Sequence, residues 1–412
     1  MHLAPARRGL TEWPARRTVG SASALFTVSI ALYLCLDAAA FVAVLATKLG
    51  LLAPVAWLGW VQIHLLTIGV IVQTAFGAVL HLSLRRSRAG EASLLGLVVW
   101  ALVNLGLFLL LAAMTAGSST RASLGALVVL AALLLVIATL PRASPDDGTA
   151  ALARRFYATG LAFLVVGIGL ALQLLRGWPA PGGFPGVLEA HIHANVWGFV
   201  GLMAAGACLS FIPRLTGAPV AHPSLASRCF WLLTIGSTGL VVGAWFGVLP
   251  LTMMGMLLYV LGTVAVLVNL VAAGRGVRWR QPIVGHVVAA YAWIVVPALV
   301  APVTVIRTGQ LPAGSVETAA LGAILAGWVL QLGLVVFSAV AARGAIDVAP
   351  GSWLTVALFN AGVVAVWLSA AGKAGNVPVV AGYVLILAAW LPQLGQGLAT
   401  WRRSSTLAVQ QP

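Results

Sequence analysis

The sequence predicts an all-α integral membrane protein with about twelve transmembrane helices. Hydrophobic residues make up 61% of the 412 residues, charged residues make up 8%, and the mean hydropathy is +1.05. Such a chain has too little polar surface to face water on all sides, and its apolar stretches reach the length of about 18 residues that spans a bilayer. The lipid bilayer is therefore the first expected partner.

The apolar stretches follow one another with short loops between them. Residues 1–19 and 401–412 form short tails around a single membrane domain, 20–400. We interpret the first stretch as a retained helix because it is longer than a signal-peptide core and has no cleavage site. The twelve predicted spans are 20–47, 55–83, 92–115, 121–140, 156–176, 189–212, 229–248, 250–273, 282–306, 317–341, 352–370 and 377–400.

The distribution of lysine and arginine predicts the orientation. Eighteen of the 23 basic residues lie in the tails and alternate loops on one side, and five lie on the other. Because cytoplasmic loops collect positive charge, both termini are expected in the cytoplasm of a bacterial or archaeal cell with the protein in its cytoplasmic membrane. Orientation and attraction to anionic headgroups account for the net charge of +15, so no nucleic-acid partner is expected.

A repeated pattern marks the second and sixth spans. Each copy has a histidine followed after five residues by one glycine and after thirteen by another: His64, Gly69 and Gly77, then His193, Gly198 and Gly206. A histidine among small apolar residues is typical of a metal or heme ligand. The glycines are expected to let the two helices approach a bulky group between them.

The second copy adds His191, and the predicted topology places all three histidines in the outer half of the membrane. Residues two apart on a helix point about 200° away from each other, so His191 and His193 address different sites. We expect His64 and His193 to hold one heme and His191 to face a second heme or metal. The alternative is that these histidines bond to water or loop carbonyls.

Three carboxyl groups, Asp37, Glu189 and Glu317, are expected at the same level. They are candidates to orient a ligating histidine or to take part in proton movement, and Glu189 and Glu317 have the alternative of stabilising helix N-termini. His286 is a weaker metal candidate whose alternative is structural hydrogen bonding. His81, at the cytoplasmic end of its span, is expected to have an interfacial role, and His2 and His222 are assigned no chemistry.

The segment 191–199, HIHANVWGF, followed by IPRLTG at 212–217, resembles the His-x-His helix of heme-copper oxidase subunit I, with the cbb-type oxidases and nitric oxide reductases closest. The resemblance implies that His191 binds a high-spin heme and that His193 and His64 bind a low-spin heme. It also implies a twelve-helix bundle with its hemes toward the outer face.

The same segments resemble the NnrS family, heme- and copper-containing membrane proteins linked to nitric oxide, which also share a His followed by Tyr-Ala-Trp, as at His286 and 291–293. The spacing from His64 to His81 is similar to that in membrane portions of some multicopper oxidase-like proteins. These resemblances imply heme, and more weakly copper, as cofactors.

The expected function is electron transfer or the handling of nitric oxide or oxygen, with an electron-donor protein or redox subunit as partner. Oxygen reduction is doubtful because the chain has no adjacent His-His pair for a copper site. One alternative is a transporter whose pathway is lined by Asp37, Asn104 and the histidines. Another is a membrane anchor or partner subunit that has lost its cofactor.

Overall fold

A computed structural model describes most of the chain. Within the described ranges the regular structure is helical, with three π-helical turns. The prediction of an all-helical, multi-pass membrane protein is confirmed at this level. The described ranges are 21–83, 89–140, 148–216, 220–274, 281–309, 315–341, 351–371 and 376–409.

Every predicted span corresponds to a helix or to consecutive helical pieces. Eleven helices in the described ranges are long and apolar enough to cross a membrane, and the apolar part of one more is shorter. We number them α1 (Ser21–Lys48), α2 (Leu58–His64, Leu65–Val72 and Gln73–Ser83), α3 (Ala89–Thr115), α4 (Ser119–Ala138), α5 (Gly148–Arg176), α6 (Gly183–Ile192, His193–Val200 and Gly201–Thr216), α7 (Pro223–Phe246), α8 (Leu249–Gly274), α9 (Pro282–Ala298 and Val300–Thr308), α10 (Ser315–Ile324, Leu325–Leu330 and Gln331–Ala341), α11 (Trp353–Ala371) and α12 (Asn376–Val409).

Local sequence explains several helix boundaries. Pro223 and Pro282 stand in the first turns of α7 and α9, where a missing amide hydrogen costs nothing. Gly247 ends α7 with a left-handed φ of 69°, a conformation that favours glycine. Pro297 lies just before the break in α9, because a proline inside a helix removes a hydrogen bond and crowds the preceding turn.

The chain consists of three four-helix units, α1–α4, α5–α8 and α9–α12. In each unit the third and fourth helices cross at a pair of glycines whose missing side chains let the backbones touch, as small residues do in membrane helix pairs. A Cβ at Gly106 would lie 2.9 Å from the Gly125 carbonyl oxygen, and one at Gly362 would lie 2.7 Å from that of Gly382. The middle unit has the same contact between Gly236 and Gly255.

The first two helices of each unit repeat a second contact. An aromatic ring of the first helix packs on a glycine in the π-helical turn of the second, and these glycines are 129 residues apart. The pairs are Tyr33 with Gly69, Phe163 with Gly198, and Trp293 with Gly327. The expectation that Gly69 and Gly198 make room for a bulky group between helices is therefore wrong, because the preceding helix fills that space. Gly77 and Gly206 likewise face Phe26 and Phe156.

The three units close into a ring with their second helices innermost. Helix α4 packs on α5, α8 on α9 and α12 on α1. The apolar 18-residue segment is 61% buried in α2, 72% buried in α6 and 67% buried in α10. In the other eight spans measured the buried share is 33–56%. The two helices that carry the repeated histidine are thus interior helices of the bundle.

All three interior helices contain a π-helical turn at the corresponding place. The turns are Leu65–Val72, His193–Val200 and Leu325–Leu330. Single π-helical turns are rare and concentrate at functional sites. His64 directly precedes the first turn and His193 begins the second, whereas Gly322 stands at the corresponding position of α10.

Candidate functional site

His64 is held by its own helix with one ring nitrogen left over. Its Nδ1 lies 2.8 Å from the Trp60 carbonyl oxygen, and its ring stacks on the Trp60 indole with centroids 3.9 Å apart. A carbonyl only accepts hydrogen bonds, so Nδ1 carries the proton and Nε2 presents a lone pair. No residue in the described ranges hydrogen-bonds to that Nε2.

His191 is held in the same tautomer by a different helix. Its Nδ1 donates to the Gly167 carbonyl oxygen of α5 at 2.9 Å. The Asn195 amide nitrogen donates to the His191 carbonyl oxygen at 2.8 Å and lies 3.2 Å from Nδ1. Here too the described part of the chain offers Nε2 no hydrogen-bond partner. Nδ1 bonded to a carbonyl with Nε2 open is the arrangement of a metal-ligating histidine.

Gly167 gives Asn195 its place beside His191. A Cβ at position 167 would lie 2.5 Å from both polar atoms of the Asn195 amide. Glycine thus allows α5 to approach α6 closely enough for its carbonyl to reach the imidazole. Asn195 follows His191 by one turn, but neither Gly167 nor the Trp60 carbonyl had been identified from the sequence as part of the site.

His64 and His191 stand on two different interior helices of the bundle, α2 and α6. Their rings lie near enough to interact electrostatically. The π-helical turns of α2 and α10 pack against each other. Within the described ranges, α2 and α6 have less backbone packing with each other than α2 has with α10. Two imidazoles with open Nε2 atoms therefore stand on helices that are not in close backbone contact.

His193 faces another direction, as expected for a residue two positions from His191. Its Nδ1 donates to the Leu240 carbonyl oxygen of α7 at 3.1 Å, and its Nε2 lies 3.7 Å from Glu189 Oε2. Within the described residues, His64 interacts electrostatically with His191, and no such interaction with His193 is found. The pairing of His64 with His193 on one heme stays a prediction from the repeat.

The three predicted carboxyl groups differ in their surroundings. The Glu189 and Glu317 carboxyl groups lie close enough to interact, and the Glu189 side chain is 35% exposed. Asp37 is only 1% exposed, and its Oδ1 has no partner in the described ranges. Asp37 is the α1 counterpart of Gly167, because the aromatic residues four positions before them, Tyr33 and Phe163, make equivalent contacts. It therefore lies at the depth of the histidines.

His286 belongs to a structural network. The Gln331 Nε2 donates to its Nδ1 at 2.9 Å, its Nε2 lies 3.4 Å from Thr355 Oγ1, and the residue is fully buried. Phe26 and Phe156 occupy the same position in the first and second units. Both ring nitrogens are already paired, so the geometry favours the structural alternative over metal binding for His286.

Replacing His286 by phenylalanine is expected to lower stability by about 1–3 kcal/mol, because Gln331 would lose its buried partner. Adding Gln331→Leu should recover most of this loss, since the second unit has Phe156 and Leu202 at these positions. The thermal unfolding midpoint in detergent, followed by size-exclusion chromatography, measures both effects. A double variant no more stable than His286→Phe would contradict the prediction.

The four candidate histidines do not converge on one metal ion. Within the described ranges no group of three or more His, Cys, Asp or Glu side chains is arranged to hold a metal. What the geometry offers is a pair of imidazoles, a donor set that suits the two axial positions of a heme iron.

The chain matches no protein-family model, and no curated protein is similar to it.

Proposed function

We propose that this is a heme-binding integral membrane protein that acts in electron transfer, with His64 and His191 as the axial ligands of one heme. The observation that carries the proposal is a pair of electrostatically interacting imidazoles on two interior helices, each with Nδ1 fixed by a backbone carbonyl and Nε2 without a partner among the described residues. The resemblance of the His-x-His segment to heme-copper oxidase subunit I and to the NnrS family points in the same direction.

The surroundings of the two imidazoles suit this role. Hydrogen bonds from Nδ1 to carbonyls fix the ring orientation and raise the basicity of Nε2. The ligands stand on α2 and α6, which are both interior and both contain a π-helical turn beside the histidine. Stacking on Trp60 further limits rotation of the His64 ring.

A heme held by two histidines supplies one-electron oxidation and reduction and has no vacant coordination position. This favours electron transfer with a donor protein or redox subunit over direct handling of nitric oxide or oxygen. The proposal includes no oxygen reduction, because the chain has no adjacent histidine pair for copper. On the distribution of basic residues we place both termini in the cytoplasm and the protein in a bacterial or archaeal cytoplasmic membrane.

One observation favours a second candidate function, a transporter. An ionisable residue buried in a membrane commonly marks a transport pathway, and Asp37 is such a residue. The other predicted pathway residue, Asn104, is occupied, because Tyr33 donates to its Oδ1 at 2.6 Å and its own Nδ2 donates to the Trp100 carbonyl. The three units also run in the same direction, unlike the inverted repeats of many transporters.

Visible spectroscopy tests the proposal directly. We expect protein purified in detergent from a heme-replete host to show low-spin heme bands on reduction, with about one heme per chain in a pyridine hemochrome assay. The double variant His64→Ala with His191→Ala provides the background for adventitious heme. Wild-type protein with no more heme than this background would contradict the proposal and leave transport as the function to test.

A further inference from the structure

Three buried polar side chains lie where the ring of helices closes, at the junction of α1, α10 and α12. Asp37 and Gln393 are 1% exposed and Trp390 is fully buried. Asp37 Oδ1, Trp390 Nε1 and Gln393 Oε1 have no hydrogen-bond partner in the described part of the chain. Leaving such atoms unpaired in a membrane interior costs several kcal/mol each, so their partners need an explanation.

The packing of α1 on α12 brings these atoms to a similar depth. The Phe41 ring lies between Tyr383 and Trp390, with centroids 4.4 and 5.8 Å away. The two helices run in opposite directions, and Phe41 lies at the depth midway between Tyr383 and Trp390. One turn toward the N-terminus of α1 therefore reaches the same depth as one turn toward the C-terminus of α12. This step places Asp37 at the level of Trp390. Gln393 is one turn further along α12 and reaches α10, where its Nε2 lies 3.4 Å from Ser338 Oγ.

We call the contact between the last helix of one unit and the first helix of the next a seam, so the bundle has an α4–α5, an α8–α9 and an α1–α12 seam. The first two seams lack this set of three polar side chains. The equivalent glycine contacts of the three units show which residues correspond. In the α4–α5 seam, Gly167 corresponds to Asp37, Leu133 to Trp390 and Val136 to Gln393. In the α8–α9 seam the counterparts are Pro297, Thr263 and Val266, and the Thr263 hydroxyl donates to the Tyr259 carbonyl. Among these corresponding positions of the described residues, only the α1–α12 set combines three buried polar side chains with unpaired atoms, so we take a common partner as the simplest account of all three.

We propose that Asp37, Trp390 and Gln393 hold a buried water molecule in the α1–α12 seam. The water accepts a hydrogen bond from the Trp390 indole and donates one each to Asp37 and Gln393, which is the usual number for a buried water. A metal cation does not fit, because the indole N–H would point at it. Water also serves Asp37 in either protonation state, since water both donates and accepts.

The proposal gives Asp37 a structural role, which is an alternative to a place in a transport pathway. It does not depend on heme at His64 and His191, so the two proposals fail separately. The water joins the first unit to the third, the one pair of adjacent units that no loop connects.

Raman difference spectroscopy of the indole N–H tests the proposal. Subtracting the spectrum of the Trp390→Phe variant from that of the wild type isolates the Trp390 band. The same subtraction with Trp293→Phe gives a reference band for an indole N–H that donates to Asn360 at 2.7 Å. We expect Trp390 to match the hydrogen-bonded reference. In an Asp37→Leu, Gln393→Leu background its band should move to the position of a free indole N–H, because the water has lost two of its three anchors.

Two results would overturn the proposal. One is a Trp390 band at the free position in wild type. The other is a hydrogen-bonded band that persists in the Asp37→Leu, Gln393→Leu background, because the acceptor would then be a different group. If that double variant fails to fold, an experimental map of the wild-type protein decides instead. It should contain a solvent peak within hydrogen-bonding distance of all three side chains, and a direct Trp390–Asp37 contact would contradict the proposal.

Discussion

Alanine at His64 or at His191 is expected to abolish the low-spin heme spectrum, whereas alanine at His193 should leave it intact. Each of the first two changes removes an Nε2 that has no partner in the described part of the chain, and a heme left with one histidine loses its six-coordinate, low-spin character. His193 directs Nδ1 to α7 and Nε2 toward Glu189, so its removal spares both ligands. Reduced-minus-oxidised spectra of the three purified variants measure the effect.

The three variants separate the structure-based pairing from the repeat-based one. If His64 and His193 are the ligands, as the repeated pattern predicts, His193→Ala loses the low-spin signal and His191→Ala keeps it. The two hypotheses therefore predict opposite results for the same pair of proteins. His286→Phe serves as a control for general destabilisation, because it affects a buried network in another unit without touching α2 or α6.

The all-helical, multi-pass architecture could be predicted from the sequence because each crossing needs its own apolar stretch. The threefold repeat was only partly visible, since the sequence analysis followed histidines and found copies in α2 and α6. The third copy has Gly322 where the others have histidine. What all three units share is a contact between an aromatic ring on one helix and a glycine about 35 residues later on the next. Two residues so far apart form no local pattern.

The candidate histidines could be selected from the sequence, but the groups that their ring nitrogens contact could not. His64 and His193 were expected to face each other because they occupy equivalent positions in the repeat. Equivalent residues of repeated units contact equivalent neighbours, each within its own unit. Their equivalence alone does not bring His64 of the first unit into contact with His193 of the second. The proposed pairing of His64 with His191 rests on the contacts of their Nδ1 atoms with the carbonyl groups of Trp60 and Gly167. Backbone carbonyls on neighbouring turns or helices give no signal in the sequence.

The glycines of the π-helical turns should be among the least replaceable residues in the protein. Gly198→Ala would place a Cβ 2.5 Å from two ring atoms of Phe163 and 2.8 Å from its Cβ. The phenylalanine Cβ is fixed to the α5 backbone, so α5 and α6 must move apart. Overpacking of this kind costs about 1–3 kcal/mol, more than the roughly 1 kcal/mol that alanine gains over glycine in a helix. The thermal unfolding midpoint in detergent should therefore fall.

Gly322→Ala is the matched control, because it makes the same substitution on an equivalent interior helix. Among the described residues, no heavy atom outside its own helix lies within 4 Å of the Cβ it would add. Helix propensity then acts alone, and the unfolding midpoint should stay the same or rise. Equal losses at positions 198 and 322 would mean that glycine is needed for helix flexibility and not for contact with the aromatic ring. A loss confined to Gly198 would instead indicate that aromatic packing on glycine holds the first two helices of a unit together.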